Sequence, residues 1–203
     1  MSAHDDVTVA TIASYPAEAT VNIVEGTIYL RKPGGFEPAD LDLLPDDRRR
    51  HELLDGVLVV SPAPNWPHQR AVSRLNRLLG NIAPEGYDAL VAPFDISAGP
   101  RSVVEPDVLV LPSTDMTAPA PLPSLVVEVL SPSNRGYDRI TKRNLYQNAG
   151  VPSYWIIDPD EPSITILELR QGQYVEVAHA TGDEKIRVTN PYEITLVPSE
   201  LVR

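Results

Sequence analysis

The chain has 203 residues, 42% hydrophobic and 22% charged, which suits one globular domain or one domain with an extension. No window approaches the roughly 18 apolar residues of a membrane span. The absence of cysteine excludes disulfides, thiolate zinc sites, iron–sulfur clusters and a thiol nucleophile.

The opening Met1-Ser2-Ala3-His4-Asp5-Asp6 lacks the basic start and apolar run of a secretory signal, so a cytoplasmic location is the expectation. The net charge of −11 argues against a broad non-specific nucleic-acid surface, but it is unevenly spread. Residues 1–47 hold nine acids against Arg31 and Lys32, while the remaining 156 hold nineteen acids against fifteen bases. Lysines number only three, Lys32, Lys142 and Lys185, so each is a candidate for a special position.

Residues 1–37 carry Pro16, Pro33 and Gly34-Gly35 around two short strand-like runs, Val21–Val24 and Thr27–Leu30. They read as an N-terminal extension or edge hairpin ahead of a domain over 38–203. Between Pro38 and Arg50 a short helix or two turns is expected. Asp55-Gly56 between apolar runs signals a tight hairpin. A helix is predicted over about 66–82, because Ala71, Val72, Leu75, Leu78, Leu79 and Ile82 recur at three- and four-residue spacing. Arg70, Arg74 and Arg77 fall on its opposite face, facing either water or a phosphate-bearing partner.

Strand-like runs follow at Tyr87–Ser97, Val103–Leu111 and Leu125–Leu130, then a polar helix over about Tyr137–Ala149 closed by Gly150. Later runs lie at Tyr154–Asp158, Ile164–Leu169, Tyr174–His179 and Ile186–Val188. That order predicts a mixed α/β or α+β fold in which the later strands are antiparallel additions.

Several polar residues do not fit a plain core. Glu128 interrupts the aliphatic run Leu125–Leu130, where a carboxylate costs several kcal/mol unless it is paired, protonated or bound to a cation. Asp107, with Glu105 two residues earlier, repeats the anomaly ahead of Val108–Leu111. If these strands pair, Asp107 and Glu128 can point to one place, where a hard divalent cation, magnesium or manganese, would relieve their repulsion. The competing reading makes one of them an edge acid in water or a salt-bridge partner.

Asp138, Lys142, Leu145, Tyr146 and Ala149 form one helical stripe, which brings Lys142 toward the sheet unless it merely pairs with Asp138 at the surface. His68 shares the apolar stripe of its helix, as a structural histidine or as a ligand or base. Glu52, just before the Asp55-Gly56 turn, is either a third acid or a surface glutamate. There is no phosphate-binding Gly-Lys-Ser loop, Gly-x-Gly-x-x-Gly, His-Glu-x-x-His or Gly-x-Ser-x-Gly.

Taken in order, six motifs resemble the Uma2 family, which is labelled "putative restriction endonuclease". They are His51-Glu52-Leu53-Leu54-Asp55-Gly56, Pro64 through His68-Gln69, Glu105-Pro106-Asp107-Val108, Val127-Glu128-Val129-Leu130-Ser131-Pro132-Ser133, Asp138 with Lys142 and Tyr146, and Gly150 through Pro159. The resemblance runs from about residue 38 to 200. It implies a PD-(D/E)XK nuclease-like fold, a mixed sheet flanked by helices. In that pattern Pro106-Asp107 is the first half of the signature and Glu128 the second acid.

The lysine expected two residues after Glu128 is Leu130 here, and Lys142 on the next helix is the residue at the corresponding place. Glu52 is implied as an additional acid, with His68, Asp138 and Tyr146 as accessory groups. The implied activity is magnesium- or manganese-dependent DNA cleavage, with Asp107 and Glu128 as metal ligands and Asp107, Glu128, Lys142 and Glu52 as the catalytic set. Arg70, Arg74, Arg77, Arg135, Arg139 and Arg143 are the bases dense enough to follow a DNA backbone. The alternative is a nuclease-fold module that does not cleave and binds or regulates, as a homodimer. Net acidity and Leu130 favour it.

Overall fold

The computed structural model of the protein describes residues 15–45, 49–113, 120–131 and 137–203, with 137–139 described by backbone alone. The calls on Arg135, and on the side chains of Asp138 and Arg139, lie outside the described residues. The chain forms two compact units of mixed α+β structure. Unit 1 takes the described residues of Met1–Ala63, Ser97–Val104 and Pro132–Leu145, and unit 2 takes Pro64–Ile96, Glu105–Ser131 and Tyr146–Arg203. These units follow no boundary at residue 37.

Unit 1 is built on strands β1 (Thr20–Val24), β2 (Thr27–Arg31), β3 (Arg50–Leu54), β4 (Val57–Ser61), β6 (Ile96–Gly99) and β7 (Ser102–Val104), in sheet order β1-β2-β4-β3-β7-β6. The short helix α1 (Pro38–Leu41) lies between β2 and β3 in the chain. The β1–β2 hairpin is therefore the edge of a sheet, while the inner β2 carries Ile28 and Leu30 into a core with Tyr15, Phe36, Leu53, Leu58 and Val60. Asp55 and Gly56 join β3 to β4 with φ of 50° and 79°, the two left-handed positions that make this turn match strand twist. The Gly56 N–H then donates to the Arg101 carbonyl at 2.9 Å, and the Asp55 N–H to Ser102 Oγ at 3.0 Å.

Unit 2 holds a second six-stranded sheet. Its strands are β5 (Tyr87–Val91), β8 (Val108–Pro112), β9 (Leu125–Val129), β10 (Ser153–Asp158), β11 (Ser163–Arg170) and β12 (Gln173–Thr181), in order β12-β11-β10-β9-β8-β5. Only β9 and β10 pair parallel; the other neighbours are antiparallel. Parallel neighbours need a crossover, and helix α3 (Tyr137–Ala149) lies on that connection. Helix α2 (Trp66–Ile82) presses Ala71, Val72, Leu75 and Leu79 onto Val108, Val110, Leu125, Val127, Val129, Trp155 and Ile157. The small pair β13 (Ile186–Val188) and β14 (Ile194–Leu196) and helix α4 (Pro198–Val202) complete this core with Ile186, Ile194 and Leu201.

Two strands expected as single runs are broken. Tyr87–Ser97 becomes β5 and β6, and Val103–Leu111 becomes β7 and β8, with the halves in different sheets. Pro93 and Pro106 lie in the two breaks, and a residue without an N–H cannot continue a ladder. Strand β14 and helix α4, of three and five residues, have no counterpart in the sequence expectation.

Candidate functional site

The anomalous acids fall into both units, and each group can be built within its own unit. In unit 1, Leu53 and Leu58 point into the core, so strand alternation sends Glu52 to the other face of β3. Glu52 is nonetheless only 1% exposed. Its Oε1 accepts from Lys142 Nζ at 2.9 Å and from Arg50 Nη2 at 3.4 Å. A buried carboxylate is tolerable only with such partners. Lys142 is buried, and its Nζ pairs with Glu52. Arg50 was missed, although two-residue spacing on a strand puts it on the face of Glu52.

In unit 2 the break at Pro106 creates the position of Asp107. Register pairs Val108 with Val127, leaving Asp107 one residue outside β8 and beside the end of β9. Its Oδ2 accepts from the Val129 N–H at 2.8 Å, so the carboxylate takes over where a strand carbonyl would stand. The same oxygen lies 3.2 Å from His68 Nε2. An ionised carboxylate only accepts, so Nε2 carries the proton. His68 is placed by the first turn of α2, where Asn65 caps the helix by accepting the His68 N–H at 3.0 Å. Asp107 and His68 are 2% and 5% exposed.

Glu128 follows from alternation in the same way. Val127 and Val129 belong to the core under α2, so Glu128 leaves the opposite face of the sheet. There Tyr146 donates its hydroxyl to Oε1 at 2.6 Å, and Glu128 is 4% exposed. Tyr146 is itself fixed by Tyr154, with ring centroids 5.3 Å apart, and Tyr154 by Tyr174 at 5.7 Å.

The structure thus joins Asp107 to His68, Glu128 to Tyr146, and Glu52 to Lys142. Among the cationic candidates, Arg74 spends Nη1 on the Glu200 carbonyl at 2.6 Å, and Arg143 is half-buried. Leu130, at the position of the expected lysine, is buried, and its N–H donates to the Ile157 carbonyl at 2.8 Å.

Among the described residues, no group of three or more His, Cys, Asp or Glu side chains could hold a metal ion. A magnesium ion does not require such a cage. It commonly uses one or two carboxylates and completes its shell with water and substrate phosphate. Asp107, one residue before β8, and Glu128, on β9, are each a hard oxygen donor of the kind such an ion takes.

Among the described residues, no helix is long and apolar enough to cross a membrane. Curated proteins give no match to the chain. The structure is similar to the crystal structure of a "putative nuclease belonging to DUF820" from Anabaena variabilis ATCC 29413, with a TM-score of 0.64 at 18% identity. That likeness covers 82% of this chain and 97% of the other, and it establishes a shared fold. The sequence pattern of Uma2, described as "Putative restriction endonuclease", matches residues 38–197. Since this is well over half of its length, the chain belongs to the Uma2 family.

Proposed function

We propose that the protein is a divalent-metal-dependent endonuclease that hydrolyses DNA phosphodiester bonds in the cytoplasm, with Asp107 and Glu128 holding magnesium or manganese. The observation that carries this reading is the 2.8 Å bond from the Val129 N–H to Asp107 Oδ2, which sets that carboxylate beside the backbone of Glu128 on the paired strand. A bound ion would supply Lewis acidity toward a phosphate oxygen and a more acidic water. Asp107 is kept in place by His68 and the Val129 N–H, and Glu128 by Tyr146. Neither carboxylate then has to reorganise when substrate arrives.

Lys142 is assigned the task of orienting or deprotonating the attacking water and stabilising the phosphate oxygens. Glu52 holds Lys142 in place, or serves as a further metal ligand. These two roles rest on the order of the family motifs and on the chemistry of an ammonium group buried against a carboxylate. Arg70, Arg74, Arg77, Arg135, Arg139 and Arg143 are assigned to the DNA backbone, and Asp138 to an accessory role at Lys142.

Leu130 favours a second reading, a nuclease-fold module that binds or regulates without cleaving, as a homodimer. An apolar residue stands there where the nuclease pattern has its lysine. Calorimetry with magnesium and manganese, followed by a plasmid-nicking assay, separates the two. Metal uptake with nicking supports the nuclease, and the lack of both supports the module.

A further inference from the structure

Trp66 opens helix α2 and is 75% exposed, whereas the other tryptophan, Trp155, is fully buried and donates to Ser153 Oγ at 2.9 Å. An aromatic ring left in water presents a face on which a planar ligand can stack. At 3.6 residues per turn, Trp66, Arg70 and Arg77 fall within about 40° of one another, directly opposite the core stripe. Neither Arg70 nor Arg77 has a side-chain partner among the described residues. In a chain of net charge −11, helix α2 has three arginines and no acid. An aromatic face followed by unpaired guanidinium groups matches a nucleobase followed by phosphates.

We infer that the outer face of α2 is a single-stranded DNA track on which Trp66 stacks an unpaired base while Arg70 and Arg77 hold the phosphates. This rests on the nucleic-acid substrate proposed above and adds both a residue and a strand preference. The distance from Trp66 to Arg77 along the axis is about 16 Å, room for a few nucleotides. Trp66 marks one end of the track, in the same helical turn as His68, which touches Asp107. A strand laid along the stripe therefore ends at the turn that holds the candidate metal ligand.

The test is tryptophan emission titrated with an oligothymidylate of about a dozen nucleotides, in EDTA so that no cleavage intervenes. Saturable quenching is expected, and it should weaken as salt rises. Trp66→Phe should lose the quenching, and Trp66→Ala should bind about 5- to 150-fold more weakly. Replacing Arg70 and Arg77 by alanine should make the salt slope shallower by about 1.4.

Absence of quenching in the parent protein overturns the inference, as does equal quenching in Trp66→Phe. Emission that changes with protein concentration alone would assign this face to a second copy of the chain. Equal quenching by a duplex of the same length would remove the preference for unpaired bases. Asp107→Ala should retain the quenching. A protein that binds in this way yet never cleaves defeats only the nuclease reading, and one that cleaves without quenching defeats only the track.

Discussion

Lys142 Nζ stands 2.9 Å from Glu52 Oε1, and the two side chains are 3% and 1% exposed. Removing one member of a buried ion pair strands the other, at a cost of about 3 kcal/mol. Lys142→Met is therefore expected to lower the urea midpoint sharply, and the double variant Glu52→Gln/Lys142→Met should recover much of the loss. Strictly additive effects would show that the pair is not coupled. In samples confirmed as folded, Lys142→Ala should lower turnover with little change in magnesium affinity. Unchanged turnover would remove this lysine from the mechanism.

Tyr146→Phe deletes one hydroxyl and with it the 2.6 Å bond to Glu128. A hydrogen bond to a charged group contributes about 1.5–3 kcal/mol, so a destabilisation of that size is expected. Groups that orient a metal ligand affect affinity about 10- to 100-fold, so Tyr146→Phe and His68→Ala should both weaken magnesium uptake measured by calorimetry. Full affinity in both variants would mean that these groups serve the fold alone.

Gly56→Ala should destabilise by about 1–2 kcal/mol, because φ of 79° is costly for alanine. The added Cβ would also run into the Arg101 guanidinium and displace it from the Gly34 carbonyl it bonds at 2.7 Å. Thermal unfolding reads the change, and metal affinity should not move.

Burial raises the Tyr192 phenol from 10.0 to about 12, and its hydroxyl donates to the Leu79 carbonyl at 2.9 Å. Between those two values the folded chain keeps a proton that the unfolded chain has released. Stability from this group is thus full below pH 10 and is lost as pH rises toward 12. Since the ring is only half-buried, the loss should be about 1 kcal/mol rather than the full equivalent of the shift. Urea titrations across this range should show a steeper decline in the parent than in Tyr192→Phe.

Periodicity made the long elements legible, since α2 runs Trp66–Ile82 and the Asp55-Gly56 hairpin forms with both turn residues at positive φ. The burial of Glu128 could be read because an acid in an aliphatic strand has few places to go. The partners could not be read so easily. Asp107 owes its position to the ladder ending at Pro106, which a run of apolar residues conceals. Glu52 and Lys142 are ninety positions apart in sequence, and no local pattern links them. Trp66 opens the predicted helix, and only its exposure distinguishes it from a core aromatic.

The most direct test of the proposed metal ligands compares the parent protein with Asp107→Ala and Glu128→Ala on supercoiled DNA, with magnesium and with EDTA. Magnesium should also raise the thermal midpoint of the parent alone, as for any ligand that binds only the folded chain. The expected result is magnesium-dependent nicking by the parent and none by either variant, with all three proteins folded. Equal nicking by all three would contradict the assignment of Asp107 and Glu128.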